Sequence, residues 1–396
     1  MTNDMQQNGP FGGIRIVDVT SVISGPCSTG ILGDQGADVI KVEPPTGDIM
    51  RARGKVAGFT PAFVSCNRGK RSVALDLKDG SAREILWRLI EEADVFAQNF
   101  RPGVAERLGF SAEEALRRNP GLIYLSISGV GPSGPYAKKR VYDPVVQALS
   151  GLADMQSDPL TGRPKMIRSV VVDKITAVYA AQAVSAALYN RSVTGKGQHV
   201  EISMLDAMLN FNWVDGMAPV AVVGQEEDAS NTPHDMIFPT ADGFVTVGAI
   251  SDKEWVGLCR AMGRADLIDD PRFATPSQRE INRQERLELI EEVVSTQQTA
   301  PLLASLEAHD VPCAPVLRRR QLFDDPQVLH NDVVQVINQQ GLGPVRQARS
   351  AARFSNHKPK PITQAPALGE HTKNILNELG VNPDTIANPS GKKSIA

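Results

Sequence analysis

The chain has 396 residues, a formal net charge of −3, 41% hydrophobic and 22% charged residues. That length exceeds one ordinary core and predicts two domains. The absence of a basic surplus argues against nucleic acid or an anionic membrane surface as a partner, and Arg318-Arg319-Arg320 is short enough to be a solvated face.

The first ten residues are polar and do not form a secretory signal. From Gly13 to Glu43 the pattern reads strand, helix, strand: IRIVDVT, then the small-residue stretch GPCSTGILGDQGA, then DVIKVE, stopped by Pro44-Pro45. SVALDL, the helical EILWRLIEEA, DVFAQNF and LIYLSIS follow. Strands alternating with helices predict an α/β domain with a largely parallel sheet. The first strand is not followed by the glycine fingerprint of a dinucleotide fold. Gly129, Gly131 and Gly134 do form G-x-G-x-x-G, but Pro132 and Pro135 forbid the helix that should open there. The segment reads as a tight loop that exposes backbone, and a nicotinamide cofactor is disfavoured.

Next, SVVVDKITAVYAAQA puts one carboxylate, Asp173, where a strand-like run of valines hands over to an Ala-rich helix. Asp173 reads as a helix N-cap or as a nucleophilic carboxylate kept ionised by the helix end; the motif alone leaves both open. TGKGQHVEIS adds a turn and a further strand, and residues 211–240 lose periodicity. DGFVTVGAISDKEWVGLCRAMG, charged helices over 280–307 and VPCAPVL form a smaller α/β unit. Short strands DVVQVIN and GPVRQA, a proline-rich stretch, a last helix over 371–380 and a polar tail complete the chain. No stretch approaches the roughly 20 apolar residues of a membrane span.

Cys27, Cys66, Cys259 and Cys313 are far apart in sequence without a C-x-x-C, which fits free thiols in a reducing cytoplasm. Cys313 follows a proline in an apolar run and reads as a buried structural thiol. The six histidines are scattered, so no metal site is expected.

Taken in order, GIRIVDVTSVISGPCSTGILGDQGADVIKVEPPTGD, NRGKRSVALDLKD, DVFAQNFRPGVAERLGF, YLSISGVGPSGPY, YDPVVQALSG, VVVDKITAVYAAQAVSAALYNRSVTGKGQHVEISMLDA, VPCAPV and APALGEHT resemble the class III CoA-transferases, the family of formyl-CoA transferase and carnitine CoA-transferase. The resemblance runs over about residues 12–380. It implies a Rossmann-like large domain with a parallel sheet and a smaller α/β domain, joined by long linkers in an interlocked homodimer. The expected boundaries are 1–210 for the N-terminal part of the large CoA-binding domain, 211–230 for a linker, 231–321 for the small domain, 322–365 for a second linker and 366–396 for the C-terminal part of the large domain.

It further implies CoA transfer from an acyl-CoA thioester to a small carboxylic acid, through an acyl-aspartyl anhydride and an aspartyl-CoA thioester on Asp173. Coenzyme A enters as a substrate thioester, with no tightly bound cofactor and no metal. By motif match Asn99, Phe100, Arg107, Leu75, Arg140 and Met204 correspond to CoA contacts. Core packing is the alternative for Leu75, Phe100 and Met204, and solvated surface charge for Arg107 and Arg140.

The chain departs from the formyl-CoA branch at Ser21, Ile23 and Pro44, and lacks that branch's glycine-rich lid near 240–250, which disfavours formyl-CoA and oxalate. Arg51 or Arg53 would suit a dicarboxylate; backbone N–H groups near Ser24–Cys27 are oxyanion candidates. Two other functions remain open. A racemase of the same fold would need a His where Tyr142 stands beside Asp143, and tyrosine is a poor base at neutral pH. A CoA-binding protein without turnover is the other.

Overall fold

The computed structural model describes residues 9–52, 58–158, 160–224, 236–357 and 360–383. The chain divides into two compact units: the described residues of 1–155, 166–223 and 331–396 make the first, and those of 156–165 and 224–330 the second.

The first unit is built on a six-stranded sheet of β1 (Arg15–Asp18), β2 (Asp38–Glu43), β3 (Arg71–Ala74), β4 (Val95–Gln98), β5 (Ile123–Ser128) and β6 (Gln198–Ser203). The order is β3-β2-β1-β4-β5-β6 and every pairing is parallel. Helix α1 (Ser24–Asp34) follows β1, α2 (Pro61–Asn67) precedes β3, and α3 (Gly80–Glu91) precedes β4. A short α4 (Val104–Leu108) follows β4. After β5 come α5 (Asp143–Leu149) and α6 (Val171–Thr194), and α7 (Met204–Asn212) follows β6.

The inner strands β2, β4 and β5 are mostly buried because both faces of the sheet are covered there, whereas edge strand β6 alternates exposed His199 and Glu201 with half-buried Val200 and Ile202. One face holds Val17, Ile40, Val73 and Phe96 against α3, through Ile85, Leu86 and Leu89. The other holds Ile16, Val39, Val95 and Leu125 against α6, through Ala180, Ala181, Val184 and Leu188. Small residues let α6 lie close along α1. Helix α11 (Thr372–Glu378), from the far end of the chain, adds Ile375 and Leu376 to the first of these faces.

The Thr-Gly-Lys-Gly turn has a steric cause. Gly195 ends α6 at φ +72°, and a Cβ on Gly197 would stand 2.0 Å from the Leu122 carbonyl oxygen. With 24 residues, α6 is long and apolar enough to cross a membrane by length and composition, contrary to the sequence expectation; half of that window is buried within the protein.

The second unit holds the antiparallel strands β7 (Ile237–Pro239), β8 (Phe244–Val247) and β9 (Cys313–Pro315). Its core gathers Phe238, Val245, Trp255, Leu258, Phe273 and Leu306. Helices α8 (Asp252–Ala261), α9 (Arg283–Val294) and α10 (Thr299–Ala308) supply most of it; α8 opens on a capping box between Ser251 and Glu254. Cys313 packs half-buried against this core. In the stretch expected as a second linker, β10 (Val334–Gln339) and β11 (Gly343–Ala348) pair as a hairpin. Residues 225–230 of the first expected linker and the tail from 384 lie outside the described residues.

Candidate active site

The sheet order reverses between β1 and β4, where crossover connections leave in opposite directions and open a crevice at the carboxyl ends of the strands. A cavity of about 410 Å³ occupies that crevice, lined by Ser21 and Ser24 after β1, Asn99 and Phe100 after β4, and the loop 127–131 at the end of β5. Asp173 and Met204 complete it from α6 and α7.

The turn after β1 is held in a conformation its sequence resists. Val22 is β-branched yet has φ +72°, a backbone state that costs about 1–3 kcal/mol and persists only where the surroundings fix it. They do so here. Asn99 clamps Ser21, its Oδ1 accepting from the Ser21 N–H at 2.9 Å and its Nδ2 donating to the Ser21 carbonyl at 2.8 Å. Lys41 Nζ donates to the Thr20 carbonyl at 3.0 Å. Asp48 Oδ1 accepts from Val22 N–H at 3.4 Å and from Met50 N–H at 2.9 Å.

Beneath the turn, buried Asp18 accepts from Lys70 Nζ at 2.9 Å and Thr29 Oγ1 at 2.7 Å. Burial pushes the Asp18 carboxyl up, but Lys70 and Lys41 outweigh it and hold the group well below the usual carboxylate range. The result is a fixed presentation of Ser24, the first residue of α1.

Asp173 lies within the first turn of α6 and is 7% exposed. It does not cap the helix. No strand precedes it either: Val171 and Val172 are already helical, and Val170 at the N-cap position offers no side-chain bond. The cap comes from Asp143, whose Oδ2 accepts from the N–H groups of Val172 at 2.7 Å and Asp173 at 3.2 Å. Gln147 holds the other oxygen of Asp143 at 2.6 Å. This bond from a distant carboxylate overrides the strand preference of three consecutive valines.

The sequence reading had the helix end keep Asp173 ionised; the structure adds that burial and a neighbouring carboxylate work against that charge. Burial, and then the negative charge of Asp143, push its carboxyl up from 3.8 to about 6, while the hydroxyl and backbone N–H of Ser24 favour the charged form. At neutral pH the group is mostly ionised, partly desolvated and far more basic than a surface aspartate. Those properties suit a carboxylate that must attack a thioester.

The other sequence candidates fall into two groups. Asn99, Phe100, Arg140 and Met204 line the cavity with Asp173. Asn99 spends its amide on the Ser21 clamp. Phe100 is fixed by a relay: its N–H donates to Gln98 Oε1, Gln98 Nε2 donates to Ser126 Oγ, and that oxygen bonds His199 Nε2, each at 2.8 Å. Leu75 and Arg107 are not brought to the cavity. Leu75 is buried with Val42, Val73 and Ile85 in the core, and Arg107 is exposed on α4.

Arg51 is 4% exposed and donates from Nε and Nη2 to the two oxygens of Glu43, each at 2.7 Å, so it is not free for a dicarboxylate. Arg53 lies outside the described residues. Arg101 and Lys139, which the sequence reading passed over, line the cavity with Arg140 as exposed cations suited to phosphates. Each is a neighbour in sequence of a residue that was noticed. Gly129 is required by contact, since a Cβ there would stand 1.8 Å from Val141 Cγ2.

A cavity at the switch point of a parallel sheet, holding a desolvated carboxylate beside a cationic rim, has the form of an α/β enzyme site. The chain belongs to CoA-transferase family III, whose model matches residues 11–372. It is 33% identical over 386 residues to succinyl-CoA:glutarate CoA-transferase of Homo sapiens, covering 95% of this chain and 87% of that one. It is 34% identical over 395 residues to succinyl-CoA:mesaconate CoA-transferase of Haloarcula hispanica, covering 95% and 98%. A CAIB/BAIF family protein from Brucella suis superposes with a TM-score of 0.82 at 34% identity, covering 94% of this chain and all of that one.

Proposed function

We propose that this enzyme moves CoA between a succinyl-type acyl-CoA and a second carboxylic acid through covalent intermediates on Asp173. The observation that carries this reading is Asp173 itself: one buried carboxylate, raised to about 6, opening on the cavity beside the amide and hydroxyl of Ser24. The Asp173 carboxylate attacks the thioester carbonyl, the C–S bond breaks, and CoA leaves as thiolate with a mixed anhydride behind it. The thiolate attacks the aspartyl carbonyl, releases the donor acid and leaves an aspartyl-CoA thioester. The acceptor carboxylate repeats the sequence in reverse. The N–H of Ser24, at the positive end of α1, supports the developing oxyanion. Arg101, Lys139 and Arg140 receive CoA phosphates.

The dicarboxylate preference rests on the relatives' names, since Arg51 is committed elsewhere. A racemase would need a second base beside Asp173; the cavity lining includes Tyr142 but no histidine.

The proposed assembly is the interlocked homodimer. Support comes from apolar side chains in water on the outer side of α6 and the segment after α7: Val178, Tyr189, Val193 and Trp213, with Val214 at 90% and Val223 at 91% exposure. Monomeric proteins rarely leave so many together. Val214→Glu is expected to shift the species seen by light scattering from dimer toward monomer.

Intact-protein mass spectrometry with a panel of acyl-CoAs, quenched with hydroxylamine or borohydride, tests the chemistry. A modification on Asp173, absent from Asp173→Asn, is expected with succinyl-CoA. Exchange of an α-proton in deuterated water without any acceptor acid would replace this reading with the racemase.

A further inference from the structure

We propose that Cys27 and Cys66 form a peroxide-sensitive thiol pair, converted by a hydroperoxide into a disulfide that ties α1 to α2 and disables the site. The two residues are 39 positions apart in sequence, and the fold lays their helices against each other. The approach is close: a Cβ on Gly30 would stand 2.9 Å from the Cys66 carbonyl oxygen. Cys27 lies three residues before Gly30, on the same face of α1. The two thiols are close enough for each to perturb the ionisation of the other.

Cys27 is the attacking sulfur. It lies in the first turn of α1, where the helix end favours an anion. The neighbouring Cys66 thiol, against the opposing effect of burial and with help from Lys70 and Arg68, holds its thiol below the usual range; Asp34 acts the other way. Cys66, more deeply buried, is pushed up. Cys259 is pushed up to about 12 by burial, and burial also raises Cys313. Only the first pair joins a favoured thiolate to a second thiol in contact.

The chemistry closes. The Cys27 thiolate attacks the outer oxygen of the hydroperoxide; an S–O bond forms, the O–O bond breaks, and the leaving oxyanion recovers from solvent the proton Cys27 had released. Cys66 then attacks the sulfenic sulfur. The S–S bond forms, and the hydroxyl leaves as water with the Cys66 proton. Two thiols have given two electrons to the hydroperoxide, leaving a disulfide, an alcohol and water.

The consequence follows from packing. The two sulfurs must close to about 2.05 Å to become covalent. The helix start has little slack, since a Cβ on Gly25 would stand 2.3 Å from Thr20 Cβ. The pull therefore moves the turn that presents Ser24 to Asp173. Displacements of about 1 Å in such constellations cost on the order of 100-fold in rate.

The test uses the full chain treated with hydrogen peroxide, alkylated with iodoacetamide and digested. A peptide joining Cys27 to Cys66, lighter by two hydrogens than its separate parts, is expected. CoA transfer should fall at least about ten-fold and return with dithiothreitol. Cys66→Ser should stop at a sulfenic acid on Cys27 that dimedone traps, and Cys27→Ser should make transfer insensitive to peroxide. Oxidation of Cys259 or Cys313 ahead of Cys27, or a disulfide between chains in its place, would overturn the pair. A complete Cys27–Cys66 cross-link with unchanged transfer would overturn the switch. The peptide map needs neither a variant nor a known substrate, so it fails independently of the proposed reaction.

Discussion

Replacing Asp173 with Asn removes the charge and keeps the shape, and the structure fixes the sign of the effect on stability. Burial, then Asp143, lift the folded carboxyl from 3.8 to about 6. A carboxyl raised by folding binds its proton more tightly in the folded state, so it destabilises that state wherever the unfolded chain is ionised. At about 1.4 kcal/mol per tenfold, the penalty reaches about 3 kcal/mol above pH 6, is about half that at pH 5 and vanishes below about pH 3.8. The bonds from Ser24, which favour the charged form, are already counted in that net value. Asp173→Asn is therefore expected to be about 3 kcal/mol more stable than the native enzyme near pH 7.5, with the gain roughly halved near pH 5. Urea unfolding at one fixed protein concentration measures both values. CoA transfer should be lost in the same variant. An Asp173→Asn protein less stable at the higher pH, or with a gain independent of pH, would refute the account of a carboxylate held at a thermodynamic disadvantage for its chemistry.

Asp143→Asn keeps a capping oxygen for α6 but removes the like charge beside Asp173. The acidic limb of kcat/KM, centred near pH 6 in the native enzyme, should move to lower pH, with Ser24 the remaining group that favours the anion. An unmoved limb would exclude Asp143 as its cause. Arg51→Ala strands Glu43 in the core and should cost about 3–5 kcal/mol in unfolding free energy without changing the preference between mono- and dicarboxylates; an altered preference would restore Arg51 as a substrate contact. Gly129→Ala drives a methyl into Val141 and should weaken CoA binding, measured calorimetrically, while Val141→Ala in the same chain restores it.

The sheet was legible because its inner strands are short apolar runs punctuated by Gly, Pro or Asp and the edge strand β6 alternates polar and apolar residues, both local signals. The site was legible only where a motif carried it. Asp173 was found that way, but its helix was started too late, because three valines favour a strand and the cap that overrules them comes from Asp143, 30 residues away. Arg51 was misplaced because sequence displays charge and hides burial. The Ser21–Asn99 clamp and the Cys27–Cys66 contact are relations between distant side chains with no periodicity to betray them.

The helix α11 also sets a timetable. His371 N–H donates to the Ser72 carbonyl, Glu378 pairs with Arg71 at 2.6 Å, and Ile375 and Leu376 fill the core over β3. The partners are about 300 residues apart. At about 5–20 residues per second, a ribosome leaves that edge of the sheet uncovered for roughly 15–60 s before α11 is made. Such long-range closure slows folding, and the apolar strand end is open to wrong partners meanwhile. The nascent chain thus depends on protection throughout that interval, and a premature stop before Thr372 would leave a nearly full-length product with an open core.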